Sequence, residues 1–309
     1  MTKVIDVAQV TYEAPDLELM ERFLTDFGLT RSVRTDDALY MRGAASQHHI
    51  YVTRKGPVAR FVGATFEVET IEELEQLAAF DDVPVEPSSE PGGGSQVVMH
   101  MPDGFEIRAI CNRERAEPLP HRDRHRINAA RSKERVNASI RVKSSPCQAI
   151  RLGHFVLHVS NHDESVRWLN ERFNLLPSDY FLPPGEEGPI VGTFLRLDRG
   201  AEPVDHHCLL VLQSDWVGVH HCSFEVEDLD AVMCAHDFLL QQGWTLDVGV
   251  GRHLLGSQVF DYWKDPNGFR IEHYTDGDVC DASYQPGTFN GTACETTQWG
   301  MEPPLEFFQ

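Results

Sequence analysis

Histidine is the residue type whose placement says most about chemistry in this chain. Fifteen are present among 309 residues, and ten lie at or after residue 154, which directs attention to the second half. Three segments there read as strands with one apolar and one mixed face. In 154–159, His154, Val156 and His158 share one face, and Phe155, Leu157 and Val159 the other. In 221–226, Cys222, Phe224 and Val226 form an apolar face, and His221, Ser223 and Glu225 a polar one. His220 falls on the packing face of that strand, which favours His221 over it as a ligand. In 269–272, Phe269 and Ile271 face the core while Arg270 and Glu272 face away. Two neutral imidazoles and one carboxylate are the donor set of a mononuclear site for O2 chemistry. The carboxylate offsets charge, the imidazoles suit Fe(II), and three ligands leave about three octahedral positions open. A single His or Glu on a strand is ordinarily solvent-facing or hydrogen-bonded, so the argument rests on His154, His221 and Glu272 together.

The elements that must position these residues occur twice. Ala64-Thr65-Phe66-Glu67-Val68-Glu69 precedes an acidic helical run over 71–79, and Cys222-Ser223-Phe224-Glu225-Val226-Glu227 precedes a similar run over 229–240. Pro102-Asp103-Gly104-Phe105-Glu106-Ile107-Arg108 returns as Pro266-Asn267-Gly268-Phe269-Arg270-Ile271-Glu272. Near the start of each half a short apolar strand leads into a helix ending Phe-Gly-Leu (27–29) or Phe-Asn-Leu (173–175). Aligning the repeats sets Gln9 against His154, Gly63 against His221 and Arg108 against Glu272, so all three ligand types are missing together from the first half. Alternating β-branched runs at 4–10, 154–159 and 259–263 predict strands, and the spacing of Leu17, Met20, Phe23 and Leu24, and of Val166, Trp168 and Leu169, predicts helices. The expectation is an α+β fold of two tandem domains built from βαβββ modules. A metal-free domain covers 1–111, a linker with one or two short helices 112–147, a catalytic domain 148–275, and a surface-wrapping tail 276–309.

Composition narrows the field. The formal net charge is −21, from 27 Lys+Arg against 48 Asp+Glu, which favours solubility and disfavours nucleic-acid binding. No apolar run reaches the ~18–20 residues of a membrane span, and residues 1–13 lack a signal-peptide layout, so a cytoplasmic protein is expected. The seven cysteines form no CxxC pair and read as free thiols. Pro91-Gly92-Gly93-Gly94-Ser95 lacks the Lys-Ser/Thr that completes a P-loop, and no nucleophile-elbow motif is present.

At these residues the chain resembles the type I extradiol dioxygenases of the vicinal oxygen chelate superfamily. The resemblance spans nearly the whole chain. It is carried by Gly153-His154, by His220-His221 before Cys-Ser-Phe-Glu-Val, by Gly251-Arg252-His253, and by Tyr262, Asp265-Pro266-Asn267-Gly268 and Glu272. It implies paired modules forming half-open barrels, with metal ligands His154, His221 and Glu272. His207 would be the acid/base residue, with His206 its rival, and His253 and Tyr262 would hydrogen-bond substrate oxygens. Asp261 stands where the family usually has an apolar residue. The implied metal is Fe(II), although the donor types also admit Mn(II). The implied reaction is ring cleavage of a catecholic aromatic with O2, and the implied assembly a homo-oligomer. Two alternatives stay open: another metal enzyme of the superfamily, such as an isomerase or lyase, which usually spreads four ligands over two modules, and a metal-free small-molecule binder. A zinc hydrolase of the HExxH type is not indicated, because that motif is absent.

Overall fold

The computed structural model describes residues 2–185 and 188–308. Met1, the expected start of the first domain, and Gln309, the expected end of the tail, lie outside the described residues, as do Glu186 and Glu187. The first half runs β1 (Val4–Ala14), α1 (Leu17–Phe27), β2 (Thr30–Arg34), β3 (Ala38–Arg42), β4 (Tyr51–Lys55), β5 (Arg60–Val68), α2 (Ile71–Asp81), β6 (Glu86–Pro87), β7 (Ser95–His100) and β8 (Glu106–Cys111). The second runs β9 (Arg151–Val159), α3 (His162–Phe173), β10 (Leu176–Phe181), β11 (Gly192–Arg196), β12 (Val204–Asp205), β13 (Leu209–Gln213), β14 (Gly218–Glu225), α4 (Leu229–Gln242), β15 (Thr245–His253), β16 (Val259–Lys264) and β17 (Arg270–Thr275). The tail adds β18 (Val279–Cys280), β19 (Gly287–Phe289) and β20 (Thr297–Gly300), with single-turn 3-10 helices at Ala293–Thr296 and Leu305–Phe308.

The duplication is visible in the sheets. The first is ordered β2-β3-β4-β1-β5-β8-β7-β6, and β10-β11-β13-β9-β14-β17-β16-β15 repeats that order, flanked by β19 and β20. The fold is therefore α+β, two sheets each made of two βαβββ modules, as the sequence predicts. Local chemistry explains the helices. Asp16 caps α1 by accepting from the backbone N–H of Glu18 and Leu19, and Leu17, Met20, Phe23, Leu24 and Phe27 bury one face. The Phe-Gly-Leu motif ends that helix because Gly28 has φ +114°, and a Cβ there would sit 1.6 Å from the Cys147 carbonyl oxygen. Asn174 does the same work at φ 51° after α3.

One apolar cluster runs through both halves. It takes Val10, Phe66 and Leu77 from the first, and Phe155, Leu157, Cys222, Phe224 and Ile271 from the second. Phe66 packs on Phe173 at 4.7 Å between ring centroids, and Tyr12 on Phe269 at 5.1 Å. The apolar strand faces are thus consumed between the halves, which leaves the opposite faces free to line cavities.

Two expectations are corrected. Segment 112–147 contains no helix and is largely exposed. It has too little apolar periodicity to bury a helical face, and Pro118 and Pro120 withhold backbone donors. The tail does not merely wrap the surface: β19 pairs with β10, β20 pairs with β15, and Phe307 is 2% exposed. No helix among the described residues is long and apolar enough to cross a membrane.

Candidate metal centre

Three adjacent strands carry the candidate ligands. β9 lies antiparallel to β14, which lies parallel to β17, and Ser223 is opposite His154 on one side and Glu272 on the other. Cross-strand partners point to the same side, and His221 is two residues from Ser223, so all three side chains emerge on one face. Their donor atoms converge. His154 Nε2 lies 3.3 Å from His221 Nε2 and 3.2 Å from Glu272 Oε2, and His221 Nε2 lies 3.3 Å from the same oxygen. Adjacent ligands about 2.1 Å from an ion stand roughly 3 Å apart, so the spacing suits three neighbouring corners of one coordination sphere. Glu272 is fully buried, and neither carboxylate oxygen has a hydrogen-bond partner among the described residues. A carboxylate left so costs several kcal/mol unless a cation joins it, and the donor set fits one.

Electrostatics agree with that fit. Burial pushes the Glu272 carboxyl up, but the imidazoles of His154, His221 and His253 outweigh it and hold the group well below its usual range. Burial drives His221 down to about 4, against the pull of Glu272, so its ring is neutral near pH 7 and has a lone pair to give. His220 stands behind it: His220 Nδ1 lies 2.6 Å from His221 Nδ1, and His220 Nε2 meets both the Phe307 carbonyl oxygen at 2.6 Å and Arg270 Nη1 at 2.5 Å.

This contact corrects the expected position of His220. The β9–β14 register shifts between Val219 and His221, a bulge that turns His220 off the packing face. It lies instead against Phe307 at 4.7 Å and His158 at 5.3 Å, behind the candidate ligand His221. Strict alternation along 219–226 cannot reveal an inserted residue.

The other expected residues surround the same place. Tyr262 is opposite Glu272 across β16–β17 and has its ring 5.2 Å from that of His221. Its hydroxyl lies 2.7 Å from His253 Nε2, which is 3.6 Å from Glu272 Oε1. Burial, and then the Glu272 charge, push the Tyr262 phenol well above its usual range, so it stays protonated. His207 and His206 separate clearly. His207 lines the cavity with its ring 4.2 Å from that of His154, while His206 stands behind it, Nδ1 to Nδ1 at 3.1 Å. Asp179 Oδ2 accepts from His206 Nε2 at 2.8 Å. His206 Nδ1 therefore accepts from His207 Nδ1, which leaves His207 Nε2 unprotonated and free. Burial, then His154 and His206, push the His207 pKa well below its ordinary value. Asp179, Phe181, Phe194, Thr296 and the Phe307-Phe308 pair were not anticipated; an aromatic pair ending an otherwise polar tail was the available signal.

Two glycine motifs have physical reasons. A Cβ on Gly153 would meet the Tyr274 hydroxyl at 2.1 Å, and one on Gly251 would meet the Phe260 ring at 2.5 Å. Asp261 is buried and accepts from His236 Nδ1 at 2.9 Å and Trp263 Nε1 at 2.6 Å, so a polar residue is accommodated there.

The first half repeats the geometry without the donors. Thr65 is opposite Gln9 and Arg108, as Ser223 is opposite His154 and Glu272. A Cβ on Gly63 would lie 1.7 Å from the Glu106 carbonyl oxygen, so no ligand side chain fits there. The space holds Glu90, which accepts from Gln9 at 3.1 Å, Arg108 at 3.2 Å and Arg113 at 3.0 Å. Guanidinium groups stand where the second half gathers its candidate ligands.

The family model described as "Glyoxalase/Bleomycin resistance protein/Dioxygenase superfamily" matches residues 151–273, the span of these ligands. Metapyrocatechase 2 of Cupriavidus necator is 29% identical over 302 residues, covering 96% of this chain and 88% of the relative. Two solved structures share the fold at TM-score 0.80 and 20% identity. The Mn(II)-bound glyoxalase of Novosphingobium aromaticivorans aligns over 99% of this chain and 94% of its own. Homoprotocatechuate 2,3-dioxygenase of Brevibacterium fuscum, in complex with 3,4-dihydroxyphenylacetate, aligns over 99% and 92%. Module order, matched segment and near full-length similarity agree: the chain has the fold of the vicinal oxygen chelate superfamily and is similar over nearly its whole length to type I extradiol dioxygenases.

Proposed function

We propose that the protein is an Fe(II)-dependent dioxygenase that opens the ring of a catecholic substrate beside the diol and places both atoms of O2 in the product. The observation that carries this is the convergence of His154, His221 and a buried, otherwise unpartnered Glu272 at the head of an apolar cavity. The ion, when bound, supplies a Lewis-acidic, redox-active point at which diol and O2 meet. Both oxygen atoms end in the ring-opened product, so no external reductant is needed.

The chain's own residues do the rest. His207, with an unprotonated Nε2 in the cavity, takes up a proton from the substrate diol and returns it to oxygen. Asp179 and His206 keep it in that tautomer. The Tyr262 hydroxyl and His253 orient the substrate oxygens, and the aromatic walls exclude water. In this reading residues 1–111 form a metal-free scaffold, 112–147 a connection, and 148–275 the catalytic domain, with 276–309 closing its cavity. Fe(II) is favoured over Mn(II) because two imidazoles and a carboxylate with open positions suit Fe(II) oxygen chemistry.

The test is anaerobic metal removal and reloading with Fe(II) or Mn(II), followed by O2 uptake and visible absorbance with a catechol. Fe(II) should restore O2 uptake and a yellow product. Glu272→Ala should retain no stoichiometric metal and turn over nothing; full turnover in that variant removes the carboxylate from the ligand set.

A further inference from the structure

The cavity beside the proposed diol site says which ring substituents fit. Its empty space, counting the part open to solvent, is about 420 Å³. An arc of aromatic rings closes it. Phe194 lies 4.8 Å from His207, Phe181 5.3 Å from Phe194, Phe308 5.7 Å from Phe181, Phe307 5.1 Å from Phe308, and Tyr262 5.2 Å from Phe307. Val156, Leu210 and Leu255 fill the rest of the wall.

No Lys or Arg lines this cavity among the described residues. The nearby cations are engaged elsewhere: Arg270 lies 4.1 Å from the Phe307 ring and is paired with Asp247, and Arg252 is paired with Asp276 at 2.7 Å. Beyond the three proposed catalytic residues and the metal-site histidines, the polar lining groups are Gln258 and Thr296, both neutral. The Thr296 hydroxyl already donates to the Ala293 carbonyl at 2.6 Å. The chain's net charge of −21 provides no long-range attraction for an anion either.

We propose that the site is specific for single-ring catechols with a short, uncharged alkyl substituent, and that it rejects catechols whose substituent carries a carboxylate. This rests on the ring-cleavage reading for where the diol sits. The physical cause is asymmetric. Each buried methylene gains from leaving water, whereas an ionised carboxylate pressed among Phe181, Phe194 and Phe308 loses its hydration and finds no cation. Leu255, Phe308 and their neighbours are the specificity-determining residues, and two of the rings come from the tail.

The test compares kcat/KM of the Fe(II)-loaded protein for catechol, 4-methyl-, 4-ethyl- and 4-propylcatechol and 3,4-dihydroxyphenylacetate. Anaerobic calorimetry of the same compounds reads binding without turnover. The alkyl series should rise about three- to fourfold per methylene until the cavity is full. The carboxylate compound should fall on the order of 100-fold or more below 4-ethylcatechol in both readouts. Leu255→Arg should narrow that gap from both sides, and Phe308→Ala should extend the tolerated alkyl length. A carboxylate compound bound and cleaved as well as the alkyl catechols overturns this inference and leaves ring cleavage standing. Selective alkyl-catechol binding with no turnover of any compound upholds the inference and overturns ring cleavage. Loss of selectivity in calorimetry overturns the inference whether or not either variant folds.

Discussion

One carboxylate makes the surroundings of His206 and His207 different. Asp179 can only accept, and that fixes the proton on His206 and, through it, the proton on His207. His207→Phe should therefore keep its metal and lose at least ~10²-fold in kcat, because the proposed acid/base group is gone while the proposed ligands are intact. Asp179→Asn should lose less, on the order of tenfold in kcat with little change in KM, since the ring remains but its tautomer is no longer enforced. Steady-state kinetics beside a metal assay checks both. An unchanged rate in His207→Phe would move the role elsewhere in the cavity.

Among the elements, the two central strand sets show how one scaffold carries the candidate metal ligands in one copy and other residues in the other. β1, β5 and β8 repeat the register of β9, β14 and β17, yet Arg108 replaces the carboxylate and Glu90 arrives from the β6–β7 connection to meet it. Glu90 is buried; burial pushes its carboxyl up, but His49 and Arg113 outweigh that and hold it well below the usual carboxylate range. Arg113→Ala leaves part of that buried charge unanswered and should cost ~3–5 kcal/mol in denaturant unfolding. Metal content per folded molecule should not change, because none of the proposed metal ligands touches this network. Loss of metal in a protein of normal stability would contradict the separation of the two sites.

At the scale of the whole molecule, the shared core makes the halves interdependent, and its buried histidines make stability depend on pH. Burial lowers His49, His158 and His273 to about 4 each, from an ordinary value of 6.5. In the unfolded chain these rings take up protons as pH falls through 6.5, while in the folded chain they resist until about 4. The stability they contribute is complete above 6.5 and is lost progressively between 6.5 and 4. The loss is on the order of 1 kcal/mol per pH unit per group. The melting temperature of the metal-free protein should fall steadily over that window; a flat profile would mean the rings are hydrated in solution.

Much of the architecture is local information. Strand alternation, helix caps and repeated hexapeptides are set by neighbours a few residues away, so the module order and the faces bearing His154, His221 and Glu272 can be read from the chain itself. The gathering of those donors at one point depends on the register of β9, β14 and β17. Other features belong wholly to the tertiary structure. The bulge that turns His220 behind His221, the Asp179 contact that backs His206, the Glu90 plug and the Phe307-Phe308 wall each depend on contacts between segments distant in sequence. No periodicity encodes such contacts, because they come from which surfaces remain once the apolar strand faces have packed against each other. By itself the sequence determined which donors and which modules are present; only the packed chain decided what shape of cavity they face.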